Sequence, residues 1–182
     1  MGNFKLIQAS GVLPSPARVN EPTREPLRVG AVQTRFHEDP AEHKAVLAEG
    51  IEAAAAAGAQ LVCNQEITLS PYVCWERRSE AANPIQPEPL WRQVIVANGI
   101  SSGTFMVAVN RYGDEGPLSF YGSSFISDPY GRLLVQAGRD EDAVLVADLE
   151  LDQCQDWLDL FPFGETRRPD AYDGLTSSRP AT

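Results

Sequence analysis

The sequence predicts an α/β fold with parallel strands, and three observations carry that expectation. Residues 27–33 and 60–64 are short apolar runs bounded by turn residues, with a helical pattern between them. Residues 104–109 are almost continuously apolar, as expected of a strand in a sheet covered on both faces. A length of 182 residues, 43% of them hydrophobic, suits one domain and suffices for a core.

The elements follow in chain order. Residues 1–26 contain Pro14, Pro16, Pro22 and Pro26 with no sustained period, and are expected to be a flexible leader. Their apolar patch, Phe4-Lys5-Leu6-Ile7, is too short for a secretory h-region. Residues 27–33, Leu-Arg-Val-Gly-Ala-Val-Gln, read as the first strand. Asp39-Pro40 opens a helix, with Asp as N-cap and Pro at the first helical position. Leu47, Ile51, Ala54 and Ala55 recur at helical spacing, and Gly58 closes the helix. Residues 60–64 form the next strand, so strand, helix and strand imply a parallel pair with a right-handed crossover.

The carboxyl ends of such strands gather functional groups. Gln65-Glu66-Ile67-Thr68 lies just past the second strand, which makes Glu66 a candidate for chemistry. A solvated loop carboxylate is the plainer reading of the same residue.

Residues 90–100 read as a helix, with Leu90, Val94 and Ala97 on one face and Trp91 and Ile95 beside them. Asn110-Arg111 ends the strand at 104–109. Residues 118–127 read as a single strand, with Phe120, Gly122, Ser124 and Ile126 on one side. Asp128-Pro129-Tyr130-Gly131 is a turn, and residues 132–137 are the hairpin partner. A strand at 143–149 and a short helix at 152–160 follow, stopped by Phe161-Pro162-Phe163. Residues 167–170 read as extended, and 176–182 as a flexible tail.

Charge and cysteine usage exclude several classes. A formal net charge of −10 offers no basic face for nucleic acid or an anionic membrane. No apolar run approaches the roughly 20 residues of a membrane span. Three widely spaced cysteines without a CxxC pair suggest a reducing, cytoplasmic setting. His37 and His43 stand six apart and are expected to be solvated, so no metal or cofactor is expected. Of the 15 basic residues 13 are Arg, and only Lys5 and Lys44 are Lys.

Together these residues resemble a family. Val29-Gly30-Ala31-Val32-Gln33, the Ala-rich helix ending Ala57-Gly58-Ala59, and Leu61-Val62 leading to Glu66 and Tyr72 look like the opening of a nitrilase-superfamily carbon–nitrogen hydrolase. Ala108-Val109-Asn110-Arg111, Phe120-Tyr121-Gly122-Ser123-Ser124-Phe125-Ile126 and Asp128-Pro129-Tyr130-Gly131 resemble its second half. Phe161-Pro162-Phe163 with Arg167-Arg168-Pro169-Asp170-Ala171-Tyr172 is similar to the N-carbamoylputrescine amidase branch. The resemblance spans about residues 27–175 in two blocks, one domain with a junction near 73–89. It implies a nitrilase-like four-layer α-β-β-α sandwich, incomplete because central strands are missing, and homo-oligomers formed by stacked sandwiches.

The resemblance also implies a chemistry. A cysteine attacks a carbamoyl or amide carbon, a glutamate takes the thiol proton, and a lysine helps hold the oxyanion. Ammonia leaves and water releases the acyl group. The glutamate base falls on Glu66. No lysine occurs after Lys44, which precedes Glu66 and reads as a surface charge. Cys74-Trp75-Glu76 resembles the nucleophile motif, yet it follows Glu66 by only eight residues. Either a deletion joined two distant regions, or Cys74 is a chance loop cysteine. Cys63 reads as a small core residue, and Cys154 has no evident partner. Pro84, Pro87 and Pro89 bar the junction from replacing a central strand.

The resulting expectation is a thiol amidohydrolase acting on a small amide or carbamoyl compound, impaired by the missing lysine. The alternatives are an inactive relative serving as a partner or an inert deletion product, and a binding module for a cationic ligand.

Overall fold

The structure, a computed structural model, describes residues 4–72, 88–116 and 118–172. Among these residues nine strands and three helices follow in the order β1 (Lys5–Gln8), β2 (Leu27–Gln33), α1 (Pro40–Ala56), β3 (Leu61–Asn64), α2 (Glu88–Ser102), β4 (Met106–Ala108), β5 (Tyr112–Glu115), β6 (Leu118–Tyr121), β7 (Phe125–Ser127), β8 (Leu133–Gln136), β9 (Ala143–Leu149) and α3 (Asp152–Leu160). A short 3₁₀ turn, Pro169–Ala171, follows where the sequence reads as extended.

The principal sheet runs β1-β9-β2-β3. β2 and β3 pair in parallel, as the crossover through α1 requires, and β9 runs antiparallel to β2. A second sheet runs β4-β7-β8, and β5-β6 form a separate ribbon. The period-two alternation of β2 and β9 places the layers. Val29, Ala31, Leu145, Ala147 and Leu149 point one way and meet Ile126 of β7 and Val135 of β8 in a core between the two sheets. Val32, Val144 and Val146 point the other way, onto Ala54 of α1. On the far side α2 covers the second sheet, with the Trp91 ring 5.5 Å from that of Phe125. The layers are therefore helix, sheet, sheet, helix, the α/β sandwich that the resemblance implies.

Three expectations are corrected. The segment expected as a flexible leader, residues 1–26, is not loose in its described part, 4–26, because β1 lies there and adds to the principal sheet by pairing with β9. Arg18, Thr23 and Arg24 then bind carboxylates at the start of α3 and on its flank. Residues 118–127 are not one strand. Gly122 and Ser123 take φ of +53° and +59°, which breaks the segment into β6 and β7 in different sheets. His43 is not solvated but 2% exposed, covered by Phe36 with ring centroids 4.8 Å apart.

Candidate active site

Glu66 stands where β3 ends, at the carboxyl edge of the parallel pair. The loop that carries it is held from two sides. Arg111 donates from Nη2 to the carbonyls of Glu66 and Ile67, both at 2.9 Å, and from Nη1 to that of Ser70 at 3.4 Å. Its Nη1 also reaches both carboxylate oxygens of Glu115, at 2.8 and 3.0 Å. The Arg111 and Glu115 side chains are 3% and 6% exposed, so this is a buried ion pair. Glu115 accepts the backbone N–H of Tyr72 as well, at 3.0 Å. On the other side His43 Nε2 lies 2.6 Å from the carbonyl of Thr68. The His37 backbone N–H points at His43 Nδ1, 3.4 Å away, which assigns the proton to Nε2 and makes the imidazole the donor to Thr68. Within this clamp Ile67 takes φ of +51°, a strained conformation for a β-branched residue.

A cavity of about 310 Å³ opens beside Glu66. Gln65, Glu66 and Tyr72 line it from the loop, Trp91 from α2, Arg111 from behind β4, and Phe120 from β6. The Tyr72 hydroxyl donates to Glu66 Oε1 at 3.3 Å. The Tyr72 and Phe120 rings meet edge to face at 5.3 Å, and the Arg111 guanidinium lies 5.9 and 5.6 Å from their centroids. The carboxylate thus faces an aromatic wall.

The other candidates fare differently. Cys74 lies outside the described residues. Cys63 sits on β3 against the core between the sheets, and burial pushes its thiol up. That opposes thiolate formation, so it is a core cysteine. Cys154, half-buried on α3, is raised by burial too. Lys5 pairs with Glu141 at 3.0 Å and Lys44 is exposed on α1, so neither lines the cavity. Among the described residues the cation that does line it is Arg111. Among the described residues no group of three or more metal-ligating side chains occurs, and no helix is long and apolar enough to cross a membrane.

Several residues of the site are not singled out by the sequence reading. Arg111 appears there only as part of Asn110-Arg111, and Phe120 as a strand-face residue and as part of the motif after it. The structure gives that pairing a physical basis. The Asn110 side chain donates to the Gly122 carbonyl at 3.0 Å, and its backbone N–H donates to Ser124 Oγ at 2.9 Å. The two motifs lock together and carry Arg111 under the Glu66 loop.

Comparison with known proteins agrees with this architecture. Residues 85–159 match the family model described as carbon-nitrogen hydrolase. An amidase from Nesterenkonia sp. AN1, solved as a mutant with the acetamide moiety of fluoroacetamide covalently added at its active-site cysteine, superimposes with a TM-score of 0.58. The overlap covers 86% of this chain and 100% of that one, at 15% identity, and so shows a shared fold. Fold and family match define the class: an α/β chain with the fold of that amidase, in which residues 85–159 resemble carbon–nitrogen hydrolases. Within that class it is 37% identical over 93 residues to N-carbamoylputrescine amidase of Solanum tuberosum, and 46% identical over 67 residues to an (R)-stereoselective amidase of Pseudomonas sp.. The alignments cover 47% and 36% of this chain, and only 31% and 24% of those relatives.

Proposed function

We propose that the chain hydrolyses a non-peptide carbon–nitrogen bond of a small amide or carbamoyl compound, in the manner of N-carbamoylputrescine amidase, and releases ammonia. The observation that carries this reading is Glu66 at the strand edge, in a cavity of about 310 Å³ walled by Tyr72, Trp91 and Phe120. In this reading Glu66 takes the proton of the Cys74 thiol, and the thiolate forms the acyl intermediate that water then hydrolyses. The active-site cysteine named for the Nesterenkonia amidase supports a thiol route. Turnover is slow, because neither lysine lines the cavity and Arg111 directs its Nη groups at Glu115 and loop carbonyls. The free thiols Cys63 and Cys154 fit a reducing, cytoplasmic setting. The exposed Leu160, Phe161 and Phe163 at the end of α3 and just past it fit self-association through stacked sandwiches, which sedimentation would register as a dimer.

Ammonia release from N-carbamoylputrescine tests the activity. The chain is expected to exceed its Glu66→Gln and Cys74→Ala variants by at least about a hundredfold, the usual contribution of a general base. Equal rates in all three would reject hydrolysis. The orientation of Arg111 favours a second reading, a non-catalytic relative that binds such compounds without turning them over. In that case iodoacetamide would modify Cys74 no faster than an ordinary thiol at neutral pH.

A further inference from the structure

We propose that Gln65 reads the ligand of the Glu66 cavity, pairing its side-chain amide with a carboxamide or ureido group. The inference rests on the reading that a small amide or carbamoyl compound enters this cavity. It goes further in naming the residue that selects such a compound.

Gln65 is 3% exposed and lines the cavity next to Glu66. Its Nε2 and Oε1 are both buried, and neither has a hydrogen-bond partner among the described residues. That is an uncommon arrangement, because buried polar atoms are nearly always paired and an orphan bears its whole desolvation cost. Gln33 shows how this fold treats an amide with no such role. Fully buried, it donates from Nε2 to the carbonyls of Gly138 and Glu141, at 2.9 and 3.0 Å, and accepts from Ser124 N–H at 2.9 Å. The backbone carbonyls of the loop are taken by other groups instead. Thr68 Oγ1 donates to the Gln65 backbone carbonyl, His43 holds the Thr68 carbonyl, and Arg111 holds those of Glu66 and Ile67. The Gln65 side chain is left with an unused donor and acceptor, in a residue that lines the cavity.

A primary amide presents one donor and one acceptor side by side. Its complement is another amide, which closes a two-bond ring with it. A carboxylate brings two acceptors and leaves Oε1 unpaired. An ammonium brings donors only and leaves Nε2 unpaired. A carboxamide or ureido NH₂ also has a second N–H, for which Glu66 is the neighbouring acceptor. The same residue pair would thus select the uncharged C–N group over its hydrolysed acid and over a plain amine. A site built on buried hydrogen bonds rejects a ligand that cannot complete them far more strongly than an apolar pocket does.

Calorimetric titration of the full chain with butyramide, butyrate and butylammonium tests this, with Glu66→Gln run in parallel so that turnover heat is absent. Butyramide is expected to bind at least about tenfold more tightly than the other two. Gln65→Met is expected to remove that preference and to raise the melting temperature of the ligand-free protein, since it replaces two orphaned polar atoms with an apolar chain of similar length. Gln65→Glu is expected to shift the preference to butylammonium. Equal butyramide affinity in Gln65→Met and the parent chain would overturn the proposal, as would absence of a butyramide preference in the parent. The two readings separate cleanly. If ammonia release fails while butyramide binding still depends on Gln65, hydrolysis falls and Gln65 stands. If ammonia is released and Gln65→Met leaves KM unchanged, only the role of Gln65 falls.

Discussion

At the scale of single residues the Glu66 loop depends on Arg111 and His43. Arg111 spans Glu115 and three carbonyls because a planar guanidinium presents several N–H groups in a fixed fork. Arg111→Met leaves Glu115 buried without its cation and is expected to cost about 3–5 kcal/mol in urea unfolding. Adding Glu115→Leu should return a large part of that loss, whereas equal stability of single and double variants would mean the pair is uncoupled. Arg111→Lys should fare little better than Met, since an ammonium cannot reach both the carboxylate and the carbonyls. His43→Ala leaves the Thr68 carbonyl unpaired and should cost about 1–3 kcal/mol. Amide hydrogen exchange should then rise in residues 65–70 and stay level in β9. The two residues differ in how far the sequence exposes them. Arg111 falls inside a motif that carries the family resemblance, so its importance is legible although its partners are not. His43 reads as a solvated histidine because its burial comes from Phe36 and Thr68, which no local period connects to it.

Elements were legible where alternation and capping agree with the tertiary fold. The strands at 27–33 and 143–149 and the helix at 152–160 have the bounds their patterns indicate. Asp39 caps α1 as expected, its carboxylate accepting from Ala41 N–H at 2.9 Å. β5, Tyr-Gly-Asp-Glu, carries no apolar pattern and exists because β6 pairs with it, so local reading misses it. The break between β6 and β7 was missed for a related reason. Alternation in residues 118–127 runs through Gly122, and only the tertiary packing shows that the chain must turn there. A Cβ on Gly122 would lie 2.4 Å from the Arg139 carbonyl and 2.9 Å from Gln33 Nε2. The carbonyl belongs to backbone and cannot withdraw, and φ of +53° adds its own penalty for any L side chain. Gly122→Ala is therefore expected to cost about 3 kcal/mol or more, read as a lowered urea midpoint. Because Gly122 also holds the Asn110 side chain, the same variant should loosen the Glu66 loop, seen as faster exchange there.

Across the whole molecule the shortage of lysine takes on a structural meaning. The arginines form contacts that tie distant parts of the chain: Arg28 to Asp148 across the principal sheet, Arg111 to the Glu66 and Ile67 carbonyls under the site, and Arg18 and Arg24 to Asp156 and Asp152 of α3. The last two close the N-terminal segment onto the far end of the chain. Four prolines make that segment look like a leader, since its partners lie more than a hundred residues away. Asp152 is the centre of the closure. It accepts from the backbone N–H of Thr23 and from the Arg24 side chain, which together hold its carboxyl at about 2, below its usual 3.8. A carboxylate depressed in the folded state contributes stability above its unfolded value and loses it as the pH falls through the folded one. The segment should therefore stay closed above about pH 4 and release between there and about pH 2. Exchange at the Thr23 and Arg24 amides should rise over that window, while the β9 amides stay protected. In Asp152→Asn the two amides should exchange fast already at neutral pH, with no further rise over the window. An unchanged acid transition in that variant would mean that another group governs the closure, and Asp156, the partner of Arg18, would be the residue to substitute next.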